Sequence, residues 1–204
     1  MELKEVIEKR QTIREFKDID IPIEIINYAI ENGFKAPSYN HLKEWDFIIL
    51  KTTEDKAKLI NAENLGTKRD IQKDSQVVFN DVTIKAMYEY AIPKQKSMIL
   101  DAPLILMVVY KPKTPIKNIK RIYDLNCLAS VWTCIENVLL SLAEHDVYGV
   151  TYIPKKTDDI KLLFNIPNDL EVASIIPIGY KQDDAIIPKK KSISISEHIH
   201  YNNW

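Results

Sequence analysis

The chain has 204 residues, 46% hydrophobic and 28% charged, with a formal net charge of −1. This length and balance fit one globular domain, residues 1–204, with a substantial core. A near-neutral molecule has no overall field for nucleic acid or an anionic membrane, so any basic site must be local. With four glycines and two cysteines there is no Gly-rich phosphate loop, GxSxG or HExxH, and no disulfide or zinc framework.

The first residues, Met1 to Glu5, lack an apolar h-region, so no signal peptide is expected and the cytoplasm is the default compartment. Glu2 to Lys9 reads as a short amphipathic helix. Arg10-Gln11-Thr12-Ile13-Arg14-Glu15-Phe16 follows it and gathers two guanidiniums and a hydroxyl within five residues. Planar bidentate donors in that arrangement suit a phosphate. Two surface arginines finishing a helix would look the same.

A second helix opens at Pro22, carries Ile23, Ile26, Ile30 and Phe34 on one face, and stops at Gly33 and Pro37. The turn-rich Ala36-Pro37-Ser38-Tyr39-Asn40-His41 feeds a strand, Trp45 to Leu50, with Ile48 to Leu50 expected to be buried on both faces. Thr52 to Asp55 caps a helix through about Asn61. Ala62 to Ser97 has no clear period, which fits either a mobile lid or two helices.

Ala102 to Tyr110 is a second buried strand, followed by a basic, proline-punctuated loop from Lys111 to Lys117. Arg121 to Asp146 is the longest helical pattern, and between Leu125 and Ala143 only Glu136 is charged. Its length approaches a membrane span, but Asn126, Ser130, Thr133, Glu136, Asn137 and Ser141 argue for a buried central helix or half of a subunit interface. Cys127 and Cys134 read as buried free thiols there. Val147 to Ile153 is a third strand, Thr157 to Asp159 caps a helix through Phe164, and Val172 to Ile178 is a fourth strand that Pro177 interrupts or places at an edge. A basic tail, Pro188-Lys189-Lys190-Lys191, precedes alternating Ser and Ile. His198 and His200 have no acidic partner at metal-ligand spacing, and no metal site is expected. Strands alternating with helices give an α/β or α+β class.

Three segments in order, Arg10 to Phe16, Ala36 to His41 through Trp45-Asp46-Phe47, and Ile178-Gly179-Tyr180 with Pro188 to Lys191, resemble the FMN-dependent nitroreductase family across nearly the whole chain. The resemblance implies an α+β fold: a three-layer α-β-α sandwich with a mostly antiparallel sheet, a long buried central helix and an interlocked homodimer with FMN at its interface. It implies a flavin-binding set of Arg10, Gln11, Thr12, Arg14, Pro37, Ser38, Tyr39, Asn40, Lys189, Lys190 and Lys191. Within that set Arg10 holds phosphate, Thr12 phosphate or ribityl, and Arg14 the pyrimidine N1/O2 end. The Pro37–Asn40 turn comes from the partner subunit, and the tail lysines complete the phosphate clamp.

The implied activity is that of an FMN-dependent NAD(P)H oxidoreductase. NADH or NADPH reduces the flavin, and a small-molecule acceptor such as a nitroaromatic or a quinone takes the electrons. No protein acid, base or nucleophile is required. The alternatives are a flavin-consuming enzyme of the 5,6-dimethylbenzimidazole synthase type, which makes the cobalamin lower ligand, and a non-catalytic flavin-binding or sensing module. Neither a nucleic acid nor a membrane partner is expected. Three departures from the family pattern stand out: Lys43 and Glu44 replace Gln-Pro, Tyr152-Ile153-Pro154-Lys155 replaces a Gly-rich turn, and Ala62 to Ser97 matches nothing in the family pattern.

Overall fold

The computed structural model of the chain describes residues 2–65, 82–188 and 190–204. Four runs rich in Val, Ile and Leu form one antiparallel sheet: β1 Trp45–Leu50, β2 Leu104–Tyr110, β3 Val147–Gly149 and β4 Glu171–Tyr180, in the spatial order β1-β2-β4-β3. Seven α-helices accompany them among the described residues: α1 Leu3–Lys9, α2 Ile23–Gly33, α3 Thr53–Ala62, α4 Val82–Ala91, α5 Gln95–Asp101, α6 Asn126–Glu144 and α7 Thr157–Leu163.

The sheet has a core on each face, so the architecture is α+β in three layers. On one face Leu104, Leu106, Val108, Ile176 and Ile178 meet Ile26 and Ala29 of α2 and Val131, Cys134, Ile135, Val138 and Leu142 of α6. On the other, Ile105, Met107, Val109 and Ile175 meet Leu59 and Ile60 of α3, Met98 and Ile99 of α5 and Ile160 of α7. Residues alternate between faces along a strand, so a central strand covered on both sides is apolar throughout; β2 is buried at all seven positions. Each fully buried side chain of this kind contributes about 1.5–3 kcal/mol relative to exposure.

Local signals place the helices. Glu2 and Glu5 form a capping box on α1, with the Glu2 N–H donating to Glu5 Oε2 at 3.1 Å. Thr52 Oγ1 accepts from the Asp55 N–H at 3.1 Å and starts α3. Gly33 does more than end α2. A Cβ there would lie 2.8 Å from Val138 Cγ2 and 3.0 Å from Cys134 Sγ, so glycine lets α2 and α6 approach closely. Burial pushes the Cys134 thiol up to about 12, as an inert core group; Cys127 is half-buried rather than buried.

Several expectations are corrected. Ile49 is 37% exposed and Ile48 half-buried, because β1 is an edge strand rather than one covered on both sides. Pro177 neither interrupts β4 nor sits at an edge. It pairs with Ile105 in the sheet interior, and its carbonyl accepts from Val150 just past the end of β3. Its nitrogen faces that same side, where β3 has ended and no ladder bond is needed. The Arg121 to Asp146 pattern splits into a 3-10 turn, Ile122–Leu125, and α6. Ile122–Glu144 together is long and apolar enough to cross a membrane by length and composition, yet much of its apolar content faces α2 and the sheet. Thr157 is the first residue of α7 rather than its cap, which is Lys156. Within residues 62–97, the described part holds α4 and the start of α5; residues 66–81 lie outside the described residues.

Candidate functional site

Arg10 closes α1. Its backbone leaves the helix extended, and the chain from Thr12 to Phe16 runs beside the sheet as a partial added strand. Thr12 bridges Gly149 in parallel, Phe16 bridges Lys181, and Ile13 and Phe16 are buried. Gly179 makes this possible, since a Cβ there would lie 2.8 Å from Pro103 Cδ and 2.9 Å from the Phe16 ring. Ile13 and Phe16 point into the core, which leaves Gln11, Thr12 and Arg14 half-buried around a shared edge.

These side chains are incompletely used. Gln11 Oε1 and Arg14 Nη1 are enclosed with no hydrogen-bond partner. Burial pushes the Arg14 guanidinium below the ordinary arginine range. Its Cζ lies 5.7 Å from the Tyr90 ring centroid of α4, within cation–π range. Arg10 Nε pairs with Glu136 Oε1 of α6 at 3.4 Å, a partly exposed pair of modest worth.

The Pro37–Asn40 turn rests on the same helix. Thr133 Oγ1 donates to the Pro37 carbonyl at 3.1 Å, and the Tyr39 N–H donates to Ser130 Oγ at 2.9 Å. Ser38 Oγ is enclosed without a partner. Beyond Tyr39 the backbone enters the left-handed region three times in four residues: Asn40 at φ 50°, His41 at 57° and Lys43 at 49°. Such conformations cost energy in non-glycine residues and cluster at functional sites. An open recess of about 340 Å³ lies between this turn and α6, lined by Pro37 to Tyr39, Asn126, Ser130 and Thr133 among others. The Tyr39 hydroxyl lies 2.7 Å from that of Tyr123 and accepts from Lys113 at 3.0 Å. These bonds, Tyr123 first, hold the Tyr39 phenol below its usual range.

Thus α6 brings Arg10 and the Pro37–Asn40 turn onto one helix. It does not gather the tail lysines: Lys190 and Lys191 are exposed, and Lys189 lies outside the described residues. Sequence reasoning missed Glu15, Tyr90, Lys94, Lys113, Tyr123 and Glu63. Glu15 stood inside the Arg-rich segment and Lys113 inside the basic loop, but their partners are distant in sequence. Glu63 carried no sequence signal. It is 1% exposed and accepts from the Tyr152 hydroxyl and from the Lys155 and Lys156 N–H groups at 3.0 and 2.6 Å. That anchors the turn standing where a Gly-rich one was expected.

Residues 7–180 match the nitroreductase family. The chain belongs to that family. It is 26% identical to the iodotyrosine deiodinase of Thermotoga neapolitana over 206 residues, covering 99% of this chain and 98% of that protein. Among solved structures, an oxidised iodotyrosine deiodinase bound to FMN and 3-iodo-L-tyrosine is similar at a TM-score of 0.77, with 23% identity and complete coverage of both chains. A BluB-like flavoprotein from Clostridium difficile 630 is similar at 0.75, with 20% identity and complete coverage of both. These structural likenesses establish the nitroreductase fold.

Proposed function

We propose that this nitroreductase-family chain is an FMN-dependent oxidoreductase acting as a homodimer. NADH or NADPH is the reductant and a small electron-poor aromatic, such as a nitroaromatic or a quinone, the acceptor. The observation that carries this reading is three enclosed, unpartnered polar atoms in the Arg10–Phe16 segment and the Ala36–His41 turn: Gln11 Oε1, Arg14 Nη1 and Ser38 Oγ; a fourth, Trp45 Nε1, follows at the start of β1. Buried polar groups are nearly always satisfied, and leaving one unpaired costs about 1–3 kcal/mol. A flavin mononucleotide, with a polar pyrimidine edge, a polyol and a phosphate, matches the chemistry of that donor set.

In this reading Arg10 and Thr12 hold the phosphate end, with Arg10 giving up part of its Glu136 contact. Gln11 and Arg14 meet the polar edge of the ring system, where the Arg14 cation favours the negative charge that accumulates on reduction. Ser38, with the strained turn after it, contributes from the second subunit. Bound FMN would supply the hydride and electron transfer; the chain binds, orients and tunes. Support for the dimer comes from apolar side chains on the tail that face away from this chain's own core, including Ile193, Ile195, Tyr201 and a fully exposed Trp204. A closed two-fold assembly is the commonest way to cover such surface.

A second reading keeps the flavin and changes the acceptor to a halogenated aromatic that is reductively dehalogenated. The near full-length similarity to the Thermotoga deiodinase favours it. Visible absorption of the purified protein, with and without added FMN, is the test. A flavin spectrum bleached by NADH or NADPH and restored by a nitroaromatic or quinone supports the first reading. Restoration by 3-iodotyrosine with release of iodide supports the second. A protein that takes up no FMN overturns both, and an Arg10→Ala/Arg14→Ala double variant that retains FMN fully overturns the site assignment.

A further inference from the structure

Arg14 carries its charge into a half-buried setting where, among the described residues, no carboxylate meets it. Yet a carboxylate stands one residue away. Glu15, its side chain 16% exposed, is committed elsewhere: it accepts from Lys94 Nζ, from the Tyr90 hydroxyl at 3.2 Å and from the Ile186 N–H at 2.8 Å. The Lys94 hydrogen bond leads in holding this carboxyl below the usual glutamate range. Glu15 is thus taken up by Lys94, Tyr90 and Ile186 rather than by its neighbour Arg14.

Tyr90 touches both. Its ring lies against the Arg14 guanidinium, and its hydroxyl bonds to Glu15 and, at 3.1 Å, to the Ile186 carbonyl. From Ile84 to Ala91 no side chain of α4 is fully buried, and Ile84, Lys85 and Glu89 face solvent. Were Glu15 free to turn toward Arg14, the two charges would neutralise each other and an anionic ligand would gain nothing from the arginine.

We propose that Tyr90 is a positioning residue for the flavin: with Lys94 and Ile186 it holds Glu15 aside and stacks on the guanidinium, so that Arg14 stays an unpaired cation for the ligand. This rests on the FMN reading above.

The test uses FMN-loaded protein and two readouts: the FMN dissociation constant from flavin fluorescence, and the flavin midpoint potential from reductive titration against a reference dye. Tyr90→Ala is expected to weaken FMN binding roughly tenfold, in line with loss of a partly desolvated cation–π contact and its hydrogen bond. It is also expected to move the midpoint to a more negative value. Tyr90→Phe keeps the ring and is expected to give a smaller change of the same sign. Glu89→Gln, a solvent-facing neighbour on the same helix, should match the wild type. The deciding variant is Tyr90→Ala/Glu15→Gln. With the competing carboxylate neutralised, the midpoint should return most of the way toward the wild-type value, which a merely structural role for Tyr90 would not produce.

A Tyr90→Ala protein with wild-type potential, or a double variant that fails to recover it, overturns the proposal. Should Tyr90→Ala not fold, Tyr90→Leu replaces it in both comparisons with the same expected signs. A wild type that takes up no FMN is seen before any variant is made; it defeats the functional reading itself and this inference with it. A wild type that binds FMN beside unresponsive variants defeats this inference alone.

Discussion

The two halves of the candidate site are built on opposite principles. The Arg10–Phe16 segment is pinned along its length. Ile13 donates to the Gly149 carbonyl at 3.3 Å, Lys17 to that of Tyr180 at 2.8 Å, and Gln182 Nε2 to that of Phe16 at 2.9 Å, over two buried apolar anchors. The Pro37–Lys43 turn is tied to α6 only near Pro37 and Tyr39 and then passes through three left-handed residues, with Leu42 52% exposed. In the first half, core packing fixes the candidate side chains. In the second, a strained backbone does.

Removing an anchor is the strongest way to break the contrast. Phe16→Ala should destabilise by about 3–5 kcal/mol, the usual cost of deleting a buried aromatic. Leu42→Ala, in the turn, should stay within about 0.5 kcal/mol. Urea denaturation of the two variants checks this; equal losses would mean the turn is as well packed as the strand-like half. Next in size is Gly179→Val. Its branched side chain has no space beside Phe16 and Pro103, and overpacking of this kind costs about 1–3 kcal/mol. A wild-type denaturation midpoint in that variant would show that Phe16 and Pro103 shift to admit the added side chain at little cost.

This contrast also marks how much was legible in the sequence. The four strands and the long helix were readable because apolar runs and helical periods are local signals. So were the Thr52 cap and the Arg-rich segment. Pro177 misled because the rule against proline in central strands does not know where a neighbouring strand stops. Ile49 misled because an apolar run looks alike at an edge and in a sheet interior. The Arg10 to Arg14 half of the site was visible as residue types, but its wiring was not. Glu15 meets Tyr90, Lys94 and Ile186 across 75, 79 and 171 positions, and no spacing rule covers such distances. The left-handed backbone at Lys43 was hidden for the opposite reason: it occurs in a residue whose type does not announce it.

A smaller effect of opposite sign probes the turn. His41 sits at φ 57°, where a side chain costs about 1–2 kcal/mol that glycine avoids. Glycine also loses more freedom on folding, so His41→Gly should stabilise the free protein by about 0.5–1 kcal/mol. His41→Ala should give no gain. If the strained turn is part of the flavin site, the more stable glycine variant should bind FMN less well, because its turn is no longer held in one shape. Thermal denaturation and FMN titration, run together, separate the two effects. Tighter FMN binding by the glycine variant would mean the strain serves nothing in ligand binding.

The smallest expected effect is an acid sensitivity greater in the Arg10–Phe16 half than in the turn. Glu15 titrates below the ordinary value of 4.5, chiefly through its Lys94 hydrogen bond and with help from the Ile186 N–H. A carboxyl whose folded value is depressed contributes stability that is present above its unfolded value and is lost as the pH falls through the folded one. The Glu15 contribution should therefore be intact at neutral pH and fade below about pH 4.5, the ordinary glutamate range. Other carboxylates held low, among them Asp124 and Glu144, fade with it, so the wild-type curve alone does not isolate Glu15. The difference between wild type and Glu15→Gln does, and it should shrink on acidification because only the wild type has this ion pair to lose. In the turn, Tyr39 is held directly by the Tyr123 hydroxyl, Lys113 and Ser130, none of them a carboxyl group, and Asp124 acts on it only through the 3-10 turn that carries Tyr123. Acid should therefore raise amide exchange in Arg14 to Phe16 before it does so in Ser38 to Asn40. Parallel loss in both stretches would show that the two halves open as one unit and that the Lys94 contact holds more than its own segment.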